Sequence, residues 1–198
     1  DLFIYWENLM CCIAVNCPNL QEFAVSNRSE PVHYNTSLIL LITRCTHLRV
    51  LQLQHGRNIS NAILAAIISA PKLVEVDLSA CDLDSFSGFI SPTLISNSVT
   101  DLYCEDTVLD GESLSDLFAH FPGVSTFTSS AVTAADFVSI ANTCRHVTNA
   151  TVYVTETISV PDMTEVARCW PHLQQMQIYS TEGVSCAEQA WVGLVQLC

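Results

Sequence analysis

The sequence is poor in basic residues. It holds 7 Lys and Arg against 20 Asp and Glu, which gives a formal net charge of −13. Proteins that bind nucleic acid or an anionic membrane need lysine and arginine to neutralise phosphate groups. The shortage therefore argues against DNA, RNA and anionic lipid as direct partners. The acidic excess instead favours a protein partner that carries a basic segment.

Signals for catalysis and for membrane insertion are also missing. The 6 glycines are scattered, and they form neither a phosphate-binding loop nor the Gly-x-Ser-x-Gly turn of a serine nucleophile. Apolar runs such as Ile63–Ile68 are far too short to cross a bilayer. The sequence thus predicts a non-enzymatic protein with no cofactor and no membrane insertion.

The 10 cysteines include no Cys-x-x-Cys pair, which argues against a zinc site. Instead, Cys17, Cys45, Cys144 and Cys169 each lie two to four residues before the first residue, or anchor, of a repeated phrase that is described below. We interpret them as reduced thiols that fill the core, and an extracellular array with some disulfides is the alternative. His47, His146 and His172 each precede an anchor of that phrase. They are therefore spread along the chain, and the sequence predicts no metal centre.

A repeated phrase is what the sequence does contain. An apolar anchor is followed by two residues, an apolar residue, one more residue and a third position that is usually apolar. The seven copies are Leu20–Val25, Leu48–Leu53, Leu73–Leu78, Val99–Cys104, Val124–Ser129, Val147–Val152 and Leu173–Ile178. Self-similarity at a period of 20–50 residues indicates a stacked-repeat protein.

Residues 48–73 show how one repeat is built. Leu51 and Leu53 alternate with polar residues, which is typical of a short, half-buried strand. After a polar turn, Ser60 is placed to cap a helix through residues 62–68. Pro71 then ends the helix before the next strand. One repeat is thus predicted to be a strand, a turn, a helix and a return.

The phrases Cys17-Pro-Asn-Leu-Gln-Glu-Phe-Ala-Val and Cys45-Thr-His-Leu-Arg-Val-Leu-Gln-Leu resemble the cysteine-containing class of leucine-rich repeats, found in F-box/leucine-rich-repeat proteins. The resemblance implies an α/β solenoid of about seven repeats. It would be a curved horseshoe with parallel strands on the concave face and helices on the convex face. It also implies recognition of substrates for a ubiquitin ligase. We expect residues 1–198 to be one leucine-rich repeat domain within a longer array, whose next helix would cover residues 187–197.

In such a horseshoe the outward strand residues form the recognition wall. Acidic residues on adjacent strands and three tyrosines are the main candidates for contacting a protein partner. The candidate partner-binding residues are Glu22, Gln52, Glu75, Asp77, Asp101, Tyr103, Glu105, Tyr153, Gln177 and Tyr179. A solvated acidic face with tyrosines covering the strands is the structural alternative.

Three functions stay open at this point. The first is an adaptor that recognises proteins through the concave face, for which the cytoplasm or nucleus is favoured. The second is an extracellular or cell-surface recognition module, which the Asn-x-Ser/Thr sequons at Asn27, Asn35, Asn58 and Asn149 keep open. The third is a structural scaffold that packs against other domains of the same chain or against other subunits.

Overall fold

The computed structural model describes residues 2–26, 32–33, 36–57, 59–83, 91–109 and 114–180. Within these ranges the helices are α1 (Leu2–Asn16), α2 (Thr36–Arg44), α3 (Asn61–Ser69), α4 (Leu114–Ala119), α5 (Ala134–Thr143) and α6 (Val160–Cys169). The strands are β1 (Glu22–Ser26), β2 (Val32–His33), β3 (Val50–Gln54), β4 (Gly56–Arg57), β5 (Glu75–Asp77), β6 (Asp82–Leu83), β7 (Asp101–Cys104), β8 (Val108–Leu109), β9 (Thr126–Val132), β10 (Asn149–Val154) and β11 (Gln175–Ser180). The predicted helix at residues 187–197 lies outside the described residues.

The seven copies of the phrase form one parallel sheet in the order β1-β3-β5-β7-β9-β10-β11. Equivalent residues of successive copies pair directly, for example Leu51 with Val76 and Val76 with Leu102. Two short parallel pairs, β2 with β4 and β6 with β8, follow the strands of the first four copies. The spacing of the anchors therefore predicted both the number of strands and their register.

The core lies between this sheet and the helices. Leu51 and Leu53 are fully buried, as the alternation in β3 predicts, and so are Ile63 and Ile67 on α3. Thr133 caps α5 by accepting a hydrogen bond from the amide of Asp136 at 3.1 Å. Ser60 occupies the cap position of α3, but its side chain makes no capping bond. The prediction of the helix start was therefore right, but the prediction of a side-chain cap was wrong. Ser60 has the extended backbone of a cap residue, while its hydroxyl bonds none of the first amides of the helix.

In the seven-stranded sheet, β3, β5 and β7 are each followed within three residues by a residue with positive φ, and β9 contains one. These residues are His55, Ala80, Asp106 and Ala131, with φ of 61°, 56°, 54° and 57°. A left-handed conformation costs an L-residue about 1–2 kcal/mol, and none of the four is a glycine. They recur at repeat spacing because each turns the chain at the same place in its repeat. At Ala131 the turn adds a residue to β9 and shifts its register against β10.

Side chains at the helix exits link successive repeats. Cys45 donates from Sγ to the carbonyl of Cys17 at 3.4 Å, and Cys144 donates likewise to Phe121 at 3.4 Å. Trp170 occupies the same place in the last described repeat and donates from Nε1 to the carbonyl of Cys144 at 2.8 Å. Cys45, Cys144 and Trp170 are thus buried residues at one recurring position, and each bonds a carbonyl of the preceding repeat. Cys17 is exposed, so the prediction that it fills the core was wrong, because it follows α1 at the edge of the sheet where no earlier described strand covers it.

The weak copy of the phrase leaves one polar defect in the core. Ser129 takes the third strand position between Cys104 of β7 and Val152 of β10. It is fully buried, and its hydroxyl has no hydrogen-bond partner within the described chain. A buried hydroxyl without a partner costs about 1–3 kcal/mol of stability.

We expect Ser129→Ala to raise the free energy of unfolding by about 1 kcal/mol, because it removes this orphan hydroxyl with little loss of packing. Urea unfolding followed by circular dichroism measures the change. Ser130→Ala is the matched control and should be neutral or destabilising, since the Ser130 hydroxyl accepts a hydrogen bond from the amide of Asp106 at 3.0 Å. A loss of stability in Ser129→Ala would contradict the assignment of a defect.

Candidate functional site: the concave sheet face

The outward residues of the sheet form three rows that cross the strands. The first row is Glu22, Val50, Glu75, Asp101, Thr126, Asn149 and Gln175. The second row is Ala24, Gln52, Asp77, Tyr103, Thr128, Thr151 and Gln177. A less regular third row runs through Ser26, Gln54, Ser79, Glu105, Ser130, Tyr153 and Tyr179. We call the surface made by these rows the concave face.

Two glutamines of β3 hold two acids of β5. Gln52 donates from Nε2 to Glu75 Oε1 at 2.8 Å, and Gln54 donates from Nε2 to Asp77 Oδ2 at 2.6 Å. Asp77 also accepts a hydrogen bond from the amide of Ser79 at 2.9 Å. Each glutamine bond joins a residue of one row to a residue of the neighbouring row on the next strand. The glutamine side chain is long enough for this because neighbouring strands lie only ~4.8 Å apart.

Asp77 departs from the sequence prediction. It was expected to be one of the outward acids, but it is only 6 % exposed. Its carboxylate accepts hydrogen bonds from the Gln54 side chain and the Ser79 amide, so we assign it a structural role.

The acids of the three rows that are left to meet a partner are Glu75, Asp101 and Glu105, which are half-buried, and Glu22 on the edge strand, which is exposed. Among them, Asp101 accepts a hydrogen bond from the hydroxyl of Thr100 at 2.7 Å.

A cavity of about 370 Å³ opens at the strand ends of β3, β5 and β7. Acidic and hydroxyl groups dominate its lining, which consists of Gln54, His55, Asp77, Ser79, Ala80, Tyr103, Glu105, Asp106 and Thr128. Burial, followed by the charges of Asp101, Glu75 and Asp77, raises the pKa of the Tyr103 phenol. Burial alone would raise this pKa, and the three carboxylates add to the shift because their negative charge disfavours the phenolate.

The other two candidate tyrosines stack on each other. The rings of Tyr153 and Tyr179 lie 4.8 Å apart with an angle of 21° between their planes. The hydroxyl of Tyr179 lies 3.4 Å from Gln177 Oε1 and donates to it. The charge of Glu105, then partial burial, then a hydrogen bond to the Glu105 carboxylate raise the pKa of Tyr153. Glu105 therefore connects the cavity to the stacked tyrosines.

The concave face has no compensating positive charge. No position in its three rows is lysine or arginine. The two ion pairs within the described residues, Arg57 with Asp82 and Arg168 with Glu165, involve none of its acids. The acids of this face are therefore left with neutral partners. A basic ligand would meet their negative electrostatic potential without competition from a lysine or arginine of the same face.

Other kinds of site find little support in the described ranges. They contain no group of three His, Cys, Asp or Glu side chains that could hold a metal ion. Their eight cysteines are free thiols, and burial raises the pKa of Cys81 and that of Cys144 to about 12, which disfavours a reactive thiolate. None of the described helices has both the length and the apolar character needed to cross a membrane.

The structure brings most of the predicted residues into one surface. One cluster spans the adjacent strands β3, β5 and β7 and the residue that directly follows β7; it consists of Gln52, Glu75, Asp101, Tyr103 and Glu105. Tyr153, Gln177 and Tyr179 form a second cluster on β10 and β11, whereas Glu22 stands apart on the edge strand β1.

The prediction missed His55 and Asp106, which line the cavity from the left-handed turns. Both residues follow a third-row position by one residue, at the same place in their repeats. This shared position was the signal available in the sequence.

Comparison with known proteins bears on the fold. No protein-family model and no curated protein matches the chain. Among solved structures it is similar to an internalin from Listeria monocytogenes, with a TM-score of 0.50 and 13 % sequence identity. The match covers 92 % of this chain and 47 % of the internalin chain, so this chain spans about half the length of that structure.

The chain has a leucine-rich repeat fold. This confirms the predicted α/β solenoid, with a parallel sheet on one side and helices on the other. At this identity the likeness extends to the fold alone. Leucine-rich repeat arrays expose a long side-chain surface, and any function of this chain must be argued from the residues that line its own rows.

Proposed function

We propose that this leucine-rich repeat array is a non-enzymatic recognition module whose concave face binds a protein segment that carries basic residues. The observation that carries the proposal is the charge of that face. Glu75 and Asp101 pair on the adjacent strands β5 and β7, Glu105 directly follows β7, and no lysine or arginine stands in any of the three rows. Like-charged residues kept together on one face favour a ligand of opposite charge.

The form of the surface supports a protein ligand. The strands of the seven-stranded sheet between β1 and β11 each have a neighbour on both sides, so their backbone N–H and C=O groups are hydrogen-bonded within the sheet. A partner on this face therefore contacts side chains. Those side chains include tyrosines, which supply large and rigid contact area at low entropic cost. Tyr179 is 45 % exposed and Tyr103 lines the open cavity, so both are accessible to a bound segment.

The test is a selection of short random peptides displayed on phage, performed on the parent chain. Selected peptides are then synthesised with a fluorescent label, and their binding is measured by anisotropy. We expect enrichment of lysine and arginine, and Asp101→Lys/Glu105→Lys should weaken binding by about tenfold or more. Asp77 is left unchanged because its carboxylate is buried and hydrogen-bonded.

The control is Glu7→Lys/Asp116→Lys, which makes the same change of charge on helices α1 and α4. It should leave the affinity within about twofold, apart from a small effect of net charge. If both double variants bind the peptides equally well, the concave face is not the interface. Selected peptides without basic residues would also contradict the proposal, and both results would favour the structural scaffold.

We propose as a finer assignment that the array is of the cysteine-containing class and is the substrate-binding part of an adaptor such as a ubiquitin-ligase receptor. The recurring buried thiols support it, because Cys45 and Cys144 take equivalent places and each bonds the preceding repeat. In cells, ubiquitination of a partner that binds the concave face should fall when Asp101→Lys/Glu105→Lys replaces the parent protein. Unchanged ubiquitination would contradict the adaptor role.

A further inference from the structure

One face of the Tyr153 ring is left open by the strand order. Tyr153 stacks on Tyr179 of β11, with ring centroids 4.8 Å apart. Because β10 lies between β9 and β11, the opposite face of Tyr153 is directed toward β9. The row positions of β9 beside it are Thr128 and Ser130, which are short. The residues of β9 beside this ring face are thus too short to stack on it as Tyr179 does on the other face.

Glu105 lies on the far side of β9 from Tyr153. It follows β7, the strand on the other side of β9, at about two strand spacings or ~10 Å from β10. Glu105, Ser130 and Tyr153 are successive positions of the third row, and the amide of Asp106 bonds the Ser130 hydroxyl at 3.0 Å, which holds the turn after β7 against β9. The charge of Glu105 is also the largest cause of the raised pKa of the Tyr153 phenol. Glu105 thus acts on Tyr153 across the short side chains of β9, and an aromatic face and a carboxylate lie on either side of that strand.

The chemistry of this junction suits a guanidinium group. A guanidinium is planar, stacks on an aromatic face and offers a fork of N–H donors that fits a carboxylate. The ammonium of lysine is a compact, strongly hydrated point charge and gains less from stacking. Glu105 also lines the open cavity, so a side chain can approach this junction from that side.

We propose that the concave face selects arginine over lysine, with the guanidinium stacked on the free face of Tyr153 and paired with Glu105. This inference rests on the proposed function and specifies which basic side chain the partner presents. Asp101 and Glu75 then supply a field that attracts either cation, whereas the Tyr153–Glu105 junction discriminates between them.

The test compares pairs of selected peptides that differ only by arginine or lysine at one position. With the parent chain we expect the arginine peptide to bind about tenfold more tightly. Tyr153→Leu should remove that preference, whereas Tyr153→Phe, which keeps the ring, should retain it. Glu105→Gln should weaken the arginine peptide, and its control Asp116→Asn on α4 should not.

The outcomes separate this inference from the proposed function. Peptides that bind with equal affinity in their arginine and lysine forms would overturn the inference and leave concave-face recognition intact. A preference for arginine that survives Tyr153→Leu would overturn it too. If no basic peptide is selected at all, the proposed function itself fails. Circular dichroism establishes that each variant is folded before its affinity is compared.

Discussion

Replacing Trp170 by alanine is expected to lower the free energy of unfolding by about 3–5 kcal/mol, as large buried aromatics do when truncated. Trp170 is fully buried at the exit of α6. Its ring makes edge contacts with Phe127 and Phe137, whose centroids lie 5.9 Å and 5.5 Å away. The substitution would leave a large cavity and an unsatisfied carbonyl at Cys144, which now accepts a bond from the indole.

The loss should be local at first. In a repeat array each unit contacts mainly its neighbours, so damage in one repeat loosens the nearest repeats before the rest. Hydrogen exchange should show faster exchange in β10 and β11 at conditions where β1 and β3 remain protected. Trp170→Phe, which keeps a ring but loses the hydrogen bond, should cost less than Trp170→Ala. A loss below about 1 kcal/mol in the alanine variant would contradict this packing.

Truncating an inward leucine of β3 should have the second largest effect. We expect Leu51→Ala to cost about 2–5 kcal/mol, because Leu51 is fully buried between Phe23 of β1 and Val76 of β5 in the sheet and faces the helices. The next residue along the strand, Gln52, is the matched control. Gln52→Ala should cost less than about 1 kcal/mol, since it loses one hydrogen bond to Glu75 on a half-buried face.

Chemical denaturation of both variants measures this difference. The contrast between two consecutive residues is the check on the register, because a shift of the strand by one residue would exchange their environments. Equal costs for Leu51→Ala and Gln52→Ala, or a larger cost for the glutamine, would mean that the strand register is wrong.

Much of the fold followed from local pattern. The apolar alternation of β3 and the anchor spacing of the phrase predicted which residues point inward, and Leu51 and Leu53 are buried accordingly. The start of α3 after Ser60 was recognisable, because the residues that begin a helix lie within one turn of each other. The capping box of Ser159 with Asp162 escaped the prediction, although its spacing was present in the sequence.

The site was predicted only in outline. The three rows could be written from the repeat register, so the placement of Asp101, Tyr103 and Glu105 on one face was foreseeable. The burial of Asp77 was not, because an outward register position says nothing of whether a neighbouring glutamine covers it. His55 and Asp106 enter the cavity through left-handed turns that no glycine signals.

The sequence by itself determined the period, the inward and outward alternation and the acidic excess, because these depend on residue order and composition. Only the tertiary structure decided that Asp77 is held beneath the surface and that the charge of Glu105 acts on Tyr153 across β9. The physical reason is distance along the chain. The local alternation decides on which face of the strand a side chain lies. Its partners come from neighbouring strands that are some 25 residues away in sequence and ~5 Å away in space.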